Sequence, residues 1–192
     1  MDPSPRRNRL KRLPPENYRG QACVHWTMTI EDRRTGWLIP IFYYKFRELL
    51  THTMFRYGTC CPIFCLMPDH VHLLFLGLLD SADQRVAVKY LRSQLHPVLE
   101  KLDVELQAQP YDHVLRDDER ETTAFQNVVE YIARNPERKQ LIPVDGFRDY
   151  PYSGCLIPGY PDLSPFQPDF WELFDQLCSK LRREGLTRLG GS

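Results

Sequence analysis

The sequence predicts an α+β fold in which an antiparallel sheet carries helices on one face and leaves the other open. Three observations lead there. Strand-like and helix-like runs alternate along the chain, two short apolar runs near its middle are spaced as a hairpin, and 192 residues is the size of one domain with one core. Lys plus Arg and Asp plus Glu both total 25, so the chain is neutral near pH 7. A neutral chain has no global attraction to nucleic acid or acidic membranes, and any such attraction must be local.

Residues 1–20 read as a flexible basic arm, because Arg6, Arg7, Arg9, Lys11 and Arg12 cluster among Pro and Asn without an apolar period. "ACVHWTMTI" (22–30), rich in β-branched and aromatic residues, is the first strand, and the charged turn "EDRRTG" ends it. Phe42, Phe46, Leu49, Leu50 and Met54 recur at three- and four-residue steps, which predicts a helix over 42–57 stopped by Gly58. The runs 61–67 and 71–76, separated by "PDH", form the hairpin. Leu91, Leu95, Val98 and Leu102 mark a helix over 84–106 that Pro97 should kink. "YDHVLRD" reads as a further strand. Asp118, with Glu121 three residues on, predicts a capped helix start, and Pro136 should end or bend that helix at Asn135. Six prolines between 143 and 168 predict extended loop, and Phe170, Phe174, Leu177, Cys178 and Leu181 form the stripe of a last helix. The domain proper is expected over 21–142, with 143–192 a Pro-rich extension and helix packed on it.

No apolar leader precedes these elements and no apolar run is long enough to span a bilayer, so a soluble, cytoplasmic protein is expected. The six cysteines contain no C-x-x-C pair and read as small buried hydrophobes, with a zinc site using Cys60, Cys61 or Cys65 as the alternative.

His70 and His72 stand two apart in the hairpin's second run. Side chains at i and i+2 of a strand share a face, about 6 to 7 Å apart along the chain, while Val71, Leu73 and Phe75 point the other way. Two neutral imidazoles on one face can ligate a divalent cation. On the capped helix, Phe125, Val128, Val129 and Ile132 form an apolar stripe, and Tyr131 and Asn135, four apart, lie together at its margin. Taken singly, each is ordinary packing or a helix terminus. Beside a histidine pair they offer a nucleophile and an amide oxygen aimed at one point.

"MPDHVHLL" (67–74), followed about sixty residues later by "YIARNP" (131–136), resembles the single-tyrosine HUH transposases, and most closely the REP-associated tyrosine transposases of bacteria. "YDHVLRDDE" (111–119) and "YPYSG" (150–154) resemble the family segments before and after the tyrosine helix. The resemblance spans about residues 18–160. It departs in Asp69, where Asn is common, and in lacking the Ala-Gly that often follows the Asn-Pro pair.

This resemblance implies a ferredoxin-like or RRM-like HUH fold, metal ligation by His70, His72 and Asn135, and Tyr131 as the nucleophile. It also implies Mg²⁺ or Mn²⁺ as the cofactor. The implied substrate is single-stranded, hairpin-forming DNA, cut through a 5'-phosphotyrosine intermediate with a free 3'-hydroxyl. A free phenol has a pKa of about 10, so local positive charge or a base must help it ionise at neutral pH. Arg138, Lys139 and the N-terminal cluster are the phosphate-contacting candidates, and Trp37, Tyr111, Phe147 and Tyr152 are candidates for stacking on bases. The expected protein is a monomer or homodimer without membrane partners. The alternatives are a domesticated hairpin-DNA-binding protein with little cleavage and a small zinc protein.

Overall fold

The computed structural model describes residues 12–116, 118–160 and 163–186. Five strands form one antiparallel sheet in the order β4-β1-β3-β2-β5. The strands are β1 (Cys23–Thr29), β2 (Thr59–Met67), β3 (His70–Gly77), β4 (Tyr111–Val114) and β5 (Ser153–Leu156). β2 and β3 pair from Met67↔His70 onward, so Pro68 and Asp69 alone make the hairpin turn. The helices are α1 (Pro40–Tyr57), α2 (Gln84–Glu100), α3 (Thr122–Ala133), the single turn α4 (Asn135–Arg138) and α5 (Phe170–Glu184).

Local chemistry sets these limits. Pro40 pre-sets the first turn of α1, and Gly58 ends it in the left-handed conformation at φ 63°, donating its N–H to the Met54 carbonyl. The Asp83 carboxylate caps α2 by accepting from the Arg85 and Val86 amides at 3.1 and 3.2 Å, worth about 1 kcal/mol. Gly77 allows a tight crossing: a Cβ built there would lie 1.7 Å from the Gly20 carbonyl oxygen, so only a residue without one lets the two backbones touch.

Alternation along the strands sends two sets of side chains to opposite faces. Val24, Trp26 and Met28 of β1 join Val71, Leu73 and Phe75 of β3 in a core closed by α1 and α2. Cys23, Ile63, Cys65, Leu74 and Leu76 join a second core closed by Val129 and Ile132 of α3 and by Phe170, Phe174, Cys178 and Leu181 of α5. Burying a large apolar side chain contributes about 1.5–3 kcal/mol, which is why each amphipathic stripe finds a sheet face.

The antiparallel α+β sheet is as expected, but the layering is not. Helices lie on both faces, because α3 and α5 each have an apolar stripe that one helical layer cannot hide. The arm read over 1–20 is corrected within its described part: residues 12–20 are docked, with Tyr18 fully buried and donating to the Asp112 carboxylate at 2.5 Å. Arg6, Arg7, Arg9 and Lys11 lie outside the described residues. α3 starts at Thr122 behind Glu121, without a side-chain cap, because Asp118 lies in a separate 3-10 turn (Asp118–Arg120), in which Glu119 is held by the Arg116 amide and His113 at 2.9 Å each. α2 runs through Pro97 without a break and ends at Glu100. The Pro-rich segment is not wholly loop, since β5 within it pairs with β2. All six cysteines are free and buried, as small hydrophobes. Among the described residues, no helix is long and apolar enough to cross a membrane.

Candidate active site

Strand register builds the site on the second face. His72 of β3 lies opposite Thr27 of β1 and Cys65 of β2, and Thr27 lies opposite Tyr111 of β4. His70 lies opposite Thr29 and Met67. The two rings meet edge to face, with their Nε2 atoms 2.9 Å apart.

The outer nitrogen of each ring is held by a neighbour. His70 Nδ1 lies 2.5 Å from the Asp69 carboxylate, which accepts its proton and leaves the lone pair on Nε2. His72 Nδ1 lies 3.2 Å from Thr27 Oγ1 and 3.0 Å from His25 Nε2. Burial first, and then the neighbouring imidazoles and Arg138, push the His72 pKa down to about 2. Burial and then His113 push His25 down to about 4. Burial also lowers His70, against the opposing pull of Asp69. The rings are therefore neutral near pH 7, the state in which imidazole ligates metal. They are not on an open face as the sequence suggested, since both are more than nine-tenths hidden from solvent.

The spacing fits a cation. In an octahedral set with metal–nitrogen bonds of about 2.1 Å, neighbouring ligand atoms stand about 3 Å apart. Two lone pairs facing at 2.9 Å without a shared cation or proton repel each other. Among the described residues no group of three His, Cys, Asp or Glu side chains is placed to hold a metal. Among the described residues, a zinc site on Cys60, Cys61 or Cys65 thus finds no support.

Asn135 begins α4, which packs on β2. Its Nδ2 donates to the Tyr131 and Ile132 carbonyls at 3.3 and 2.9 Å, closing the end of α3. Both contacts require the amino end there, which leaves Oδ1 with no hydrogen-bond partner among the described residues. Tyr131 is 56 % exposed. The Arg138 guanidinium lies 3.7 Å from the centre of the Tyr131 ring and also donates to the Tyr131 carbonyl. The charges of Arg138, the last residue of α4, and of Lys139 just after it act on the histidines, helping to lower the pKa of His72 and of His70 respectively.

Other candidates sort by burial. Arg12 pairs with Asp112 at 3.1 Å and lies over Trp26. Trp37 and Phe147 are buried in the two cores and cannot stack on bases, whereas Tyr111 is half-exposed on the histidine face. Sequence reasoning missed His25, Thr27 and Asp69. The first two come from β1, more than forty residues from His72, so only strand register reveals them. Asp69 adjoins His70 in the sequence and was legible there.

The fold and this site define an α+β sheet protein with a buried histidine pair on the sheet face that α3 and α4 cover. No protein-family model matches the chain. A Haemophilus influenzae protein provisionally named a REP-associated tyrosine transposase is 25% identical over 141 residues, covering 67% of this chain and 76% of its own. A REP-associated tyrosine transposase solved bound to a REP hairpin shares the fold with a TM-score of 0.60 at 17% identity, covering 74% of this chain and 79% of its own. The resemblance seen in "MPDHVHLL" and "YIARNP" is borne out by this relative and by the shared fold.

Proposed function

We propose that the protein is a hairpin-DNA strand-transfer enzyme of the REP-associated tyrosine transposase type, with Tyr131 as nucleophile. The observation that carries this reading is the pair of Nε2 atoms facing at 2.9 Å, each with its outer nitrogen held by a neighbour. The similarity to the Haemophilus influenzae protein supports it.

His70 and His72, with Asn135 Oδ1, would hold a divalent ion such as Mg²⁺ or Mn²⁺. When bound, that ion supplies Lewis-acid polarisation of the scissile phosphate. The chain's own residues do the rest. Asp69 and Thr27 hold the imidazoles in the tautomers that point both lone pairs inward. Arg138, and Lys139 beside it, offer positive charge to the phosphate oxygens. The Tyr131 oxygen attacks phosphorus as its proton leaves to solvent. The Oη–P bond forms, the P–O3' bond breaks, and the departing oxygen takes a proton to become a 3'-hydroxyl. The phosphotyrosine keeps the bond energy for rejoining to another strand without ATP.

The test is a hairpin oligonucleotide with a single-stranded flank, incubated with Mn²⁺ and resolved under denaturing conditions. A covalent protein–DNA adduct is expected with the natural sequence and should be lost in Tyr131→Phe. An adduct undiminished in that variant would overturn the assignment. Tight hairpin binding with no adduct would instead identify a binding protein.

A further inference from the structure

The chain is neutral overall, yet its charge is unevenly placed. On the side of the sheet away from the histidines, α2 and the segment 107–110 leading into β4 border an open groove of about 1170 Å³. Arg12, Arg19, Arg85, Lys89 and Arg92 line it against one carboxylate, Asp83. Asp83 pairs with Arg19 at 3.3 Å, and Asp112 pairs with Arg12. Lys89 has no ion pair among the described residues. Arg85 has none either, its guanidinium lying 5.7 Å from the Tyr18 ring centre. Burial and the nearby Arg12 charge lower the pKa of Arg92, so the cations here crowd one another with too few anions. Arg92 itself is spent on the wall, donating to the Gln107 carbonyl at 2.5 Å.

Arg85, Lys89 and Arg92 stand at i, i+4 and i+7 of α2 and so form one stripe about 10 Å long. That is the axial rise of roughly three nucleotides of one DNA strand. β4, which follows the 107–110 wall directly in the chain, is an edge strand of the sheet four residues long. Beyond it, on the opposite face, half-exposed Tyr111 heads the row that runs through Thr27 to His72.

We infer that this groove binds the sugar–phosphate backbone of the hairpin's duplex stem, while the single-stranded flank crosses the β4 edge past Tyr111 to reach the histidines. The inference rests on the hairpin-DNA reading above. The stem contacts are to phosphates, so they grip without reading sequence.

The test compares the full chain with the Arg85→Gln/Lys89→Gln variant. Both side chains lie outside the cores, and circular dichroism should match. Hairpin affinity is measured by fluorescence anisotropy over a salt series, and adduct formation is measured on a stemless single strand. The variant should lose about ten-fold or more in hairpin affinity at ~0.1 M salt, and its log–log salt slope should flatten by about two. Its adduct yield on the stemless strand should stay unchanged, and Tyr131→Phe should bind the hairpin like the natural protein. Undiminished affinity and slope in the double variant, with the adduct still forming, would overturn the groove alone. So would polyglutamate competing as well as a hairpin of equal charge, which would mark an acidic protein as the partner. Groove-dependent hairpin binding by a protein that never forms the adduct would support the groove while removing the catalytic reading. A natural protein that binds no hairpin would overturn both.

Discussion

His72 owes its role to residues that do not adjoin it in sequence. Thr27 and His25 hold its outer nitrogen from a neighbouring strand, and Asp69 does the same for His70. This arrangement has a pH consequence. In the metal-free protein, His25 and His72 have folded pKa values of about 4 and about 2, below the ordinary 6.5. As pH falls below 6.5 the unfolded chain takes up these protons and the folded chain does not. Stability contributed by the neutral rings is therefore complete above about 6.5 and lost as pH falls, toward about 4 for His25 and toward about 2 for His72. Each ring costs up to about 1.4 kcal/mol per pH unit in that window. Denaturant midpoints at pH 7.5, 6 and 5 should fall in that order, and His25→Gln should flatten the decline. A second expectation concerns the ion. His72→Ala should weaken Mn²⁺ binding, followed by the manganese EPR signal or by calorimetry, by at least 100-fold. At this scale the sequence was informative where spacing alone carries geometry, as in His70 with His72 and Tyr131 with Asn135. It was silent on His25 and Thr27, whose partnership exists only once β1 and β3 are in register.

Among the elements, those with a strong period and a clear stop were legible. α1 ends at Gly58, and α5 buries the stripe from Phe170 to Leu181. Less was visible where tertiary contacts overrode local signals. Asp118 and Glu121 suggested a capping box, but Glu119 is drawn to His113 and α3 starts later. β5 was hidden in a Pro-rich stretch because its partners are carbonyls and amides of β2, and side-chain alternation over four residues gives no signal. The crossing of β3 over Gly20 yields a sharp test. Gly77→Ala would drive a methyl group into the Gly20 carbonyl, and overpacking against backbone should cost about 3 kcal/mol or more, lowering the melting temperature by roughly 10 °C. Phe170→Ala, which empties the contact of α5 with the second core, should cost about 3–5 kcal/mol in chemical denaturation.

For the molecule as a whole, length set the size and the order of strand-like and helix-like runs set the fold class, but composition concealed where charge gathers. Equal numbers of acids and bases gave no hint of a cationic groove, because the balancing carboxylates lie elsewhere on the surface. Nor could the sequence show two helical layers, since that depends on α3 and α5 finding the same sheet face. The sheet puts the histidine pair on one side and the basic stripe on the other.

The N-terminal segment carries one more implication. Asp112 is shared by the Tyr18 phenol and the Arg12 guanidinium, which latches the beginning of the described chain onto the outermost strand. A protease that clipped the chain between Tyr18 and Cys23 would free β4 from this clasp. Hydrogen–deuterium exchange at Tyr111 to Val114 should then quicken, well ahead of any change in β2 or β3.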